Sequence, residues 1–416
     1  MRKLIIKGQN LLNGEVNISG AKNSAVALIP AALLSDEKVV LTNVPNISDV
    51  DALEEILLYL DAKIDRTEDN KITIYSSEIN NKPIHADLAK KLRASYYFMG
   101  AMLGKYKHVE MSFPGGCSIG KRPIDLHLKG FKAMGAKITG DEENIIIDAD
   151  KLVGADIYLD FASVGATINI MLAAVRAKGK TVIKNAAKEP EIPNIAELLN
   201  KMGADIKGAG TNVITINGVD HLGSCEHRVL PDRIEAGTYA IIGASCATNL
   251  RINNIVPEHI DSLLEKLKEM NVNIKVGKDY LVIKESKKLK ATEIITLVYP
   301  GFPTDLQQVL ASLMTKAKGT STIEETIWEN RFLNLYEIGK MGAKIDVNGK
   351  KASITGPTKL IGTEVNATDL RAGAGLIVAA LIAEGTTIIN NADYILRGYE
   401  NIVEKLSNIG ADVILQ

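Results

Sequence analysis

The chain is poor in sulfur and in aromatic rings. Its three cysteines, Cys117, Cys225 and Cys246, are odd in number and widely spaced, which fits neither a disulfide framework nor a zinc site. A reduced, cytoplasmic protein without structural metal is expected. One tryptophan among 5% aromatic residues offers little to stack bases on. A net charge of −1 withholds the attraction that non-specific nucleic-acid binders need. Long apolar runs are missing too: 25–34 and 372–383 fall short of the ~20 residues of a membrane span. The run Leu4-Ile5-Ile6 behind the basic start is too short for a signal-peptide core. Nucleic-acid binding and membrane insertion are thereby set aside.

What the sequence does have is repetition. A chain of 416 residues is long for one hydrophobic core, so two domains are expected. A phrase that ends a helix and starts a strand recurs as Leu60-Asp61-Ala62-Lys63-Ile64, Met134-Gly135-Ala136-Lys137-Ile138 and Met202-Gly203-Ala204-Asp205-Ile206. It continues as Met270-Asn271-Val272-Asn273-Ile274, Met341-Gly342-Ala343-Lys344-Ile345 and Ile409-Gly410-Ala411-Asp412-Val413. The first positions, 60, 134, 202, 270, 341 and 409, step by 74, 68, 68, 71 and 68. Glycine in four of the six second positions reads as a helix C-cap before a strand.

Apolar helices are expected over 23–34, 92–103, 164–177, 234–244, 305–315 and 370–383. Each is followed by a Thr/Val/Ile-rich strand and then by a more amphipathic helix. The unit is thus strand–helix–strand–helix–strand–strand, about 70 residues long, beyond the usual solenoid repeat. Small α/β modules, three per domain, are the expected architecture, with the boundary at Leu230-Pro231.

Charges mark the starts of these helices. Lys22-Asn23, Arg93, Ser163-Val164-Gly165, Thr304-Asp305 and Asp369-Leu370-Arg371 open apolar helices, while Arg122-Pro123, Asn330-Arg331 and Arg397-Gly398 are read as opening the second ones. A helix N-terminus carries unpaired N–H groups and the positive end of the dipole, so converging starts form an anion site. Lys22, Arg93, Arg122, Arg331, Arg371 and Arg397 sit against the dipole preference and call for an anionic ligand. Taken singly, each has a plainer reading: a surface ion pair, or for Asp305 and Asp369 a first-turn acid and for Ser163 an N-cap. His127 is as ready to bond locally as to meet a phosphate.

The stretch from Pro114 to Asp125 stands apart. Its glycines and prolines exclude a helix interior or central strand, and Cys117 at its centre is followed by Lys121 and Arg122, which favour the thiolate. The run PGGCSIGKRPIDLH (114–127) resembles the active-site loop of the UDP-N-acetylglucosamine enolpyruvyl transferases (1-carboxyvinyltransferases), bacterial enzymes of the first committed step of peptidoglycan synthesis. SGAKNS (19–24), KEPEI (188–192), FPTD (302–305), ENRF (329–332), ATDLRAGA (367–374) and RGYE (397–400) extend the resemblance along the chain in order.

The resemblance implies a two-domain inside-out α/β barrel of six repeated units with the active site in the interdomain cleft. One domain is 22–230, carrying the Cys117 loop; the other is 1–21 plus 231–416. It implies transfer of the enolpyruvyl group of phosphoenolpyruvate to the 3-hydroxyl of UDP-N-acetylglucosamine, with no cofactor. Asp305 would be the base on the sugar hydroxyl, and Cys117 the proton donor or a group that helps product leave. Lys22, Arg122 and Arg397 would hold the phosphate, with Arg331 and Arg371 near the carboxylate. Asn23 would polarise the adduct and Asp369 would shape the pocket. The nucleotide sugar would lie along Arg93, Arg122, Pro123, Ile124, Asp125, Leu126, Ser163, Val164, Gly165 and Ile327. Phe161 stands where some relatives carry a lysine before the Ser163-Val164-Gly165 phrase, which takes away one charge contact to the nucleotide. Fosfomycin, an epoxide phosphonate, would alkylate Cys117. The rival readings are the sister transferase acting on shikimate 3-phosphate, against which the loop cysteine speaks, and a non-catalytic anion-binding repeat protein.

Overall fold

The computed structural model describes residues 2–67, 70–115 and 124–416. Contacts divide the chain into two compact units. One runs from Gly20 to Leu230; the other joins Pro231–Gln416 to the N-terminal segment ending at Ser19. Each has its own apolar core.

Among the described residues three sheets belong to each unit. In the 20–230 unit, the strand Lys38–Thr42 pairs parallel with Cys225–Arg228 and antiparallel with Lys71–Tyr75. Lys180–Lys184 does the same with Asp156–Tyr158 and Val213–Asn217. His108–Ser112 pairs antiparallel with Asn144–Asp148, and its parallel neighbour shrinks to a single bridge, Ile84 to Met111. In the other unit the same scheme places Leu12–Asn17 beside Ala247–Asn253, Glu293–Ile295 beside Gly319–Glu324, and Glu364–Asn366 beside Thr386–Asn390. The antiparallel partner of this last strand is Leu4–Lys7. The N-terminal segment therefore supplies one strand to each of two sheets. Its end is pinned at Ser19, whose N–H donates to Glu235 Oε2 at 2.8 Å and whose hydroxyl takes Lys405 Nζ at 2.6 Å.

Two backbone devices recur. At the second position of the repeated phrase, Asp61, Gly135, Gly203, Asn271, Gly342 and Gly410 have φ of 67°, 95°, 109°, 67°, 100° and 99°. The next N–H then reaches back over the helix end, as from Ala136 to the Phe131 carbonyl and from Ala204 to Leu199. This is a left-handed cap, open to glycine and tolerated by Asn and Asp. The second device was not read from the sequence. Asn43, Asn185, Asn254 and Asn391 follow central strands with φ of 56° to 57°. Their Nδ2 groups donate to the carbonyls of Val229, Leu159, Ile18 and Ala367, tying the strand end to its parallel neighbour.

The apolar helices lie inside. Lys22–Ala31, Tyr97–Tyr106 and Val164–Ala174 are buried along most of their length, as sequences apolar on every side require. Tyr97–Tyr106 packs on both of the others. In the second unit Arg233–Cys246, Thr304–Met314 and Leu370–Ile382 pack on one another. Small residues allow the approach: a Cβ at Gly375 would lie 2.5 Å from the Gln308 carbonyl oxygen.

Their C-terminal ends meet cations. Lys105 Nζ donates to the carbonyls of Leu33 (2.8 Å) and Ser35 (2.5 Å), Arg176 Nη2 donates to Leu34 (2.7 Å), and Lys316 Nζ caps Ser245. Among the described residues no helix is long and apolar enough to cross a membrane.

One helix start differs from expectation. Arg397 ends the short helix Asp393–Leu396, with φ of −73°, instead of opening one. Gly398 and the left-handed Asn401 (φ 49°) delay the next helix to Ile402–Asn408, so the dipole favours this cation.

Gly203→Ala should lower unfolding free energy by about 1 kcal/mol, since a Cβ there meets only the His221 carbonyl at 3.9 Å and the loss is one of backbone strain. Asn271→Gly, at the equivalent position, adds no strain and should lose less, giving up only the exposed bond from its Nδ2 to the Lys288 carbonyl. Denaturant midpoints check this, and equal losses in both variants would refute it.

Candidate active site

In the second unit the site is built on the N-terminal ends of the inner helices. Asp305 sits in the first turn of Thr304–Met314. Its Oδ1 accepts from Arg331 Nη2 at 2.9 Å and its Oδ2 from Arg371 Nε at 3.2 Å. Both arginine side chains are almost fully buried, at 3% and 4% exposure, against 27% for Asp305, so the carboxylate is the most exposed member of the cluster. Burial alone would raise the Asp305 pKa. The guanidiniums of Arg371 and Arg331, with Arg233 behind them, override it and hold the carboxyl well below its usual range.

Asp369 caps Leu370–Ile382, its Oδ1 accepting from the N–H groups of Arg371 (2.9 Å) and Ala372 (3.0 Å). Gln308, wholly buried, closes the ring. Its Nε2 donates to Asp369 Oδ2 and its Oε1 accepts from Arg331 Nε, both at 3.3 Å. Arg371 lies 5.4 Å from the Tyr399 ring centre, and its Nη1 is buried without a hydrogen-bond partner among the described residues. A donor left in that condition costs free energy until an acceptor arrives. Ile327 is placed by Glu325, whose Oε1 takes the Ile327 N–H at 2.8 Å while Oε2 takes the Thr304 hydroxyl at 2.8 Å. Arg397 is half-buried two residues before Tyr399.

The 20–230 unit holds a second set. Lys22 opens its helix with Nζ 2.8 Å from Asp49 Oδ2, an ion pair whose side chains are 15% and 5% exposed. Asn23 beside it is half-buried. Ser163 caps Val164–Ala174, accepting from the Ala166 N–H at 3.3 Å. Against this helix start lie Tyr96 and His127, whose rings meet edge-on with centres 5.0 Å apart. Arg93 lies 5.9 Å from the Tyr96 ring centre.

A Cβ at Gly165 would fall 2.9 Å from the Tyr96 hydroxyl and 3.0 Å from His127 Cε1, so only glycine lets both rings approach. Arg93, Ser163, Val164 and Gly165 are thus gathered with His127 on one patch. Ile124 precedes the helix Asp125–Ala133, Asp125 is exposed in its first turn, and Leu126 is packed in the core. Phe161 is 58% exposed, too open to be a core residue. Cys117, Arg122 and Pro123 lie outside the described residues.

Sequence reasoning missed Gln308, Glu325, Asp49 and Asn169. Gln308 and Asn169 interrupt apolar helices, and a polar side chain at a fully buried helical position was the available signal. Among the described residues no group of three or more His, Cys, Asp or Glu side chains could hold a metal ion.

A family model described as EPSP synthase (3-phosphoshikimate 1-carboxyvinyltransferase) matches residues 6–406. A protein of Listeria monocytogenes named UDP-N-acetylglucosamine 1-carboxyvinyltransferase 2 is 53% identical over 412 residues, spanning 99% of this chain and 97% of that protein. One of the same name from Bacillus cereus is 51% identical over 413 residues, spanning 99% and 96%. The enolpyruvyl transferase NikO from Streptomyces tendae superposes with a TM-score of 0.91 at 27% identity, over 100% of this chain and 99% of that one. An EPSP synthase from Acinetobacter baumannii gives 0.78 at 18% over 100% and 99%, a likeness of fold.

The architecture is therefore the mixed α/β fold of the enolpyruvyl transferases. The chain belongs to the EPSP synthase family, and within it to the UDP-N-acetylglucosamine 1-carboxyvinyltransferases.

Asp305→Asn should lower stability by about 2–4 kcal/mol at neutral pH, because it leaves two buried guanidiniums without their counter-charge. A carboxyl whose native pKa is depressed stabilises above its unfolded value of about 4, and loses that contribution as pH falls through the native value. The deficit should therefore shrink on acidification, and denaturation curves from pH 7 downward will read it. A deficit that does not change with pH would contradict the assignment.

Proposed function

We propose that the chain transfers the enolpyruvyl group of phosphoenolpyruvate to the 3-hydroxyl of UDP-N-acetylglucosamine, releasing phosphate through a tetrahedral adduct, the first committed step of peptidoglycan synthesis. The observation that carries the reading is the grip of Arg331 and Arg371 on Asp305, with a buried guanidinium nitrogen of Arg371 that has no acceptor among the described residues. Each unit is read as an inside-out α/β barrel of three repeats, as three packed inner helices and three sheets support. The domains are taken as 22–230 and as 1–21 plus 231–416.

In the addition step C3 of phosphoenolpyruvate takes a proton while the sugar oxygen bonds to C2, and the hydroxyl proton passes to a base. In the elimination step the C2–O bond to phosphate breaks, C3 loses a proton and the double bond re-forms. Asp305 is assigned as the base. Held by two guanidiniums it is a weak one, and an arriving carboxylate that shares Arg331 and Arg371 returns basicity to it. Cys117 serves as proton donor to C3 or in product departure.

Lys22, oriented by its ion pair with Asp49, binds the phosphate with Arg122 and Arg397. Asn23 polarises the adduct, and Asp369 holds Arg371 through its backbone. The nucleotide sugar lies along Arg93, the Arg122–Leu126 segment, Ser163-Val164-Gly165 and Ile327. Fosfomycin alkylates Cys117 by opening its epoxide at the thiolate sulfur.

Purified protein given phosphoenolpyruvate should release phosphate with UDP-N-acetylglucosamine and not with shikimate 3-phosphate. Asp305→Ala should lower kcat by about 10²–10⁴-fold, the range of a lost general base. Cys117→Asp should escape inactivation by fosfomycin. Release with shikimate 3-phosphate instead would overturn the substrate, and unchanged inactivation of Cys117→Asp would overturn the cysteine's part.

A further inference from the structure

His127 is 5% exposed on the helix Asp125–Ala133, and its Nδ1 lies 2.8 Å from Asn169 Nδ2. Asn169 is wholly buried in Val164–Ala174, and its Oδ1 accepts from the Gly100 backbone N–H at 2.8 Å. These contacts fix every proton in the chain of bonds. A backbone N–H only donates, so the amide oxygen must face Gly100 and the NH₂ must face His127. An amide NH₂ also only donates, so His127 Nδ1 must present a lone pair. The imidazole is then neutral, with its hydrogen on Nε2. That nitrogen faces the start of Val164–Ala174, where a Cβ on Gly165 would lie 3.2 Å away. Among the described residues nothing accepts from it.

We propose that Asn169 is a positioning residue that fixes His127 as the neutral Nε2–H tautomer, so that the helix start at Ser163-Val164-Gly165 presents an uncharged donor to the anionic part of the nucleotide sugar. The inference rests on the nucleotide-sugar reading of that helix start. The chemistry favours such an arrangement. The helix N-terminus and Arg93 already supply positive potential, and an imidazolium would add repulsion. Burial and the Arg93 charge push the His127 pKa down to about 3, and Tyr96 is the other titratable ring against it. A neutral donor works unchanged across the pH range in which an ordinary histidine titrates.

The first test is spectroscopic. Nitrogen-15 spectra of the histidine rings, with His127→Gln to assign the signals, should show His127 unprotonated at Nδ1, protonated at Nε2, and unchanged from pH 8 to pH 5. A proton on Nδ1, or titration near pH 6.5, overturns the proposal.

The second test is Asn169→Asp, which keeps an acceptor for the Gly100 N–H and turns the donor toward His127 into an acceptor. The ring then takes a proton on Nδ1. At low pH it is an imidazolium that still donates from Nε2; at higher pH it is neutral with a lone pair toward the ligand. The KM for UDP-N-acetylglucosamine should therefore rise with pH in this variant, by about ten- to a hundredfold, the worth of one hydrogen bond to a charged group. In the parent protein it should stay flat, and the KM for phosphoenolpyruvate should follow the parent in both. A KM that is flat with pH in Asn169→Asp refutes the role. If the parent protein shows no turnover of UDP-N-acetylglucosamine, the functional reading falls, and the ring spectra still decide the tautomer.

Discussion

A helix buried on every side can show polar groups only at its ends, and this constraint organises both units. At the C-terminal ends Lys105, Arg176 and Lys316 donate to carbonyls that have no partner within their own helices. These cations agree with the dipole and are consumed by the fold. At the N-terminal ends the chain places Lys22, Ser163 with Gly165, Asp232 with Arg233, Asp305, and Asp369 with Arg371. Chemistry gathers at that pole because free N–H groups are found nowhere else on such helices. The flanks are closed by Gly375 and its like, which bring neighbouring backbones too near to admit a side chain.

Cations at a helix start are repelled by the dipole, and each unit answers with acids. Asp49 pairs with Lys22, and Asp305 pairs with Arg331 and Arg371. Asp369 does two things at once, capping its helix through Oδ1 and meeting Gln308 through Oδ2. Gln308 can serve both neighbours only in one orientation, amide nitrogen to the carboxylate and oxygen to the guanidinium. A glutamate there would repel Asp369, and a leucine would leave Arg331 Nε bare. The ring therefore has one arrangement, which is what a preorganised anion site requires.

Much of this was legible in the sequence where local chemistry decides it. The left-handed cap is written as Gly, Asn or Asp at one fixed place, since other side chains strain there. The all-apolar helices, and the charges at their starts, show directly in composition. What the sequence hid depends on distant partners. Leu4–Lys7 pairs with Thr386–Asn390 across almost the whole chain, and nothing local in four residues names that partner. Asn169 and Gln308 read as flaws in apolar helices until the Gly100 N–H and the Arg331 guanidinium appear beside them. Arg397 misled because its phrase looks like the other helix starts. Whether such a phrase opens a helix or ends one turns on Gly398 and on the left-handed Asn401.

The strongest tension lies in Asp305 itself. Two guanidiniums hold it ionised, which keeps it an acceptor at any ordinary pH but makes it a poor base. On the proposed reading the same arginines meet the substrate carboxylate, and one of them has a buried nitrogen without an acceptor among the described residues. A second carboxylate arriving there divides the positive charge between two anions. The pKa of Asp305 must then rise, because part of what lowered it is now spent on the ligand. With Asp305 as the proposed base, basicity would appear only once the ligand is in place, and a proton would be drawn from the hydroxyl only when its reaction partner is bound. On the proposed assignment, the ion pair that stabilises the fold here is also the device that times the chemistry.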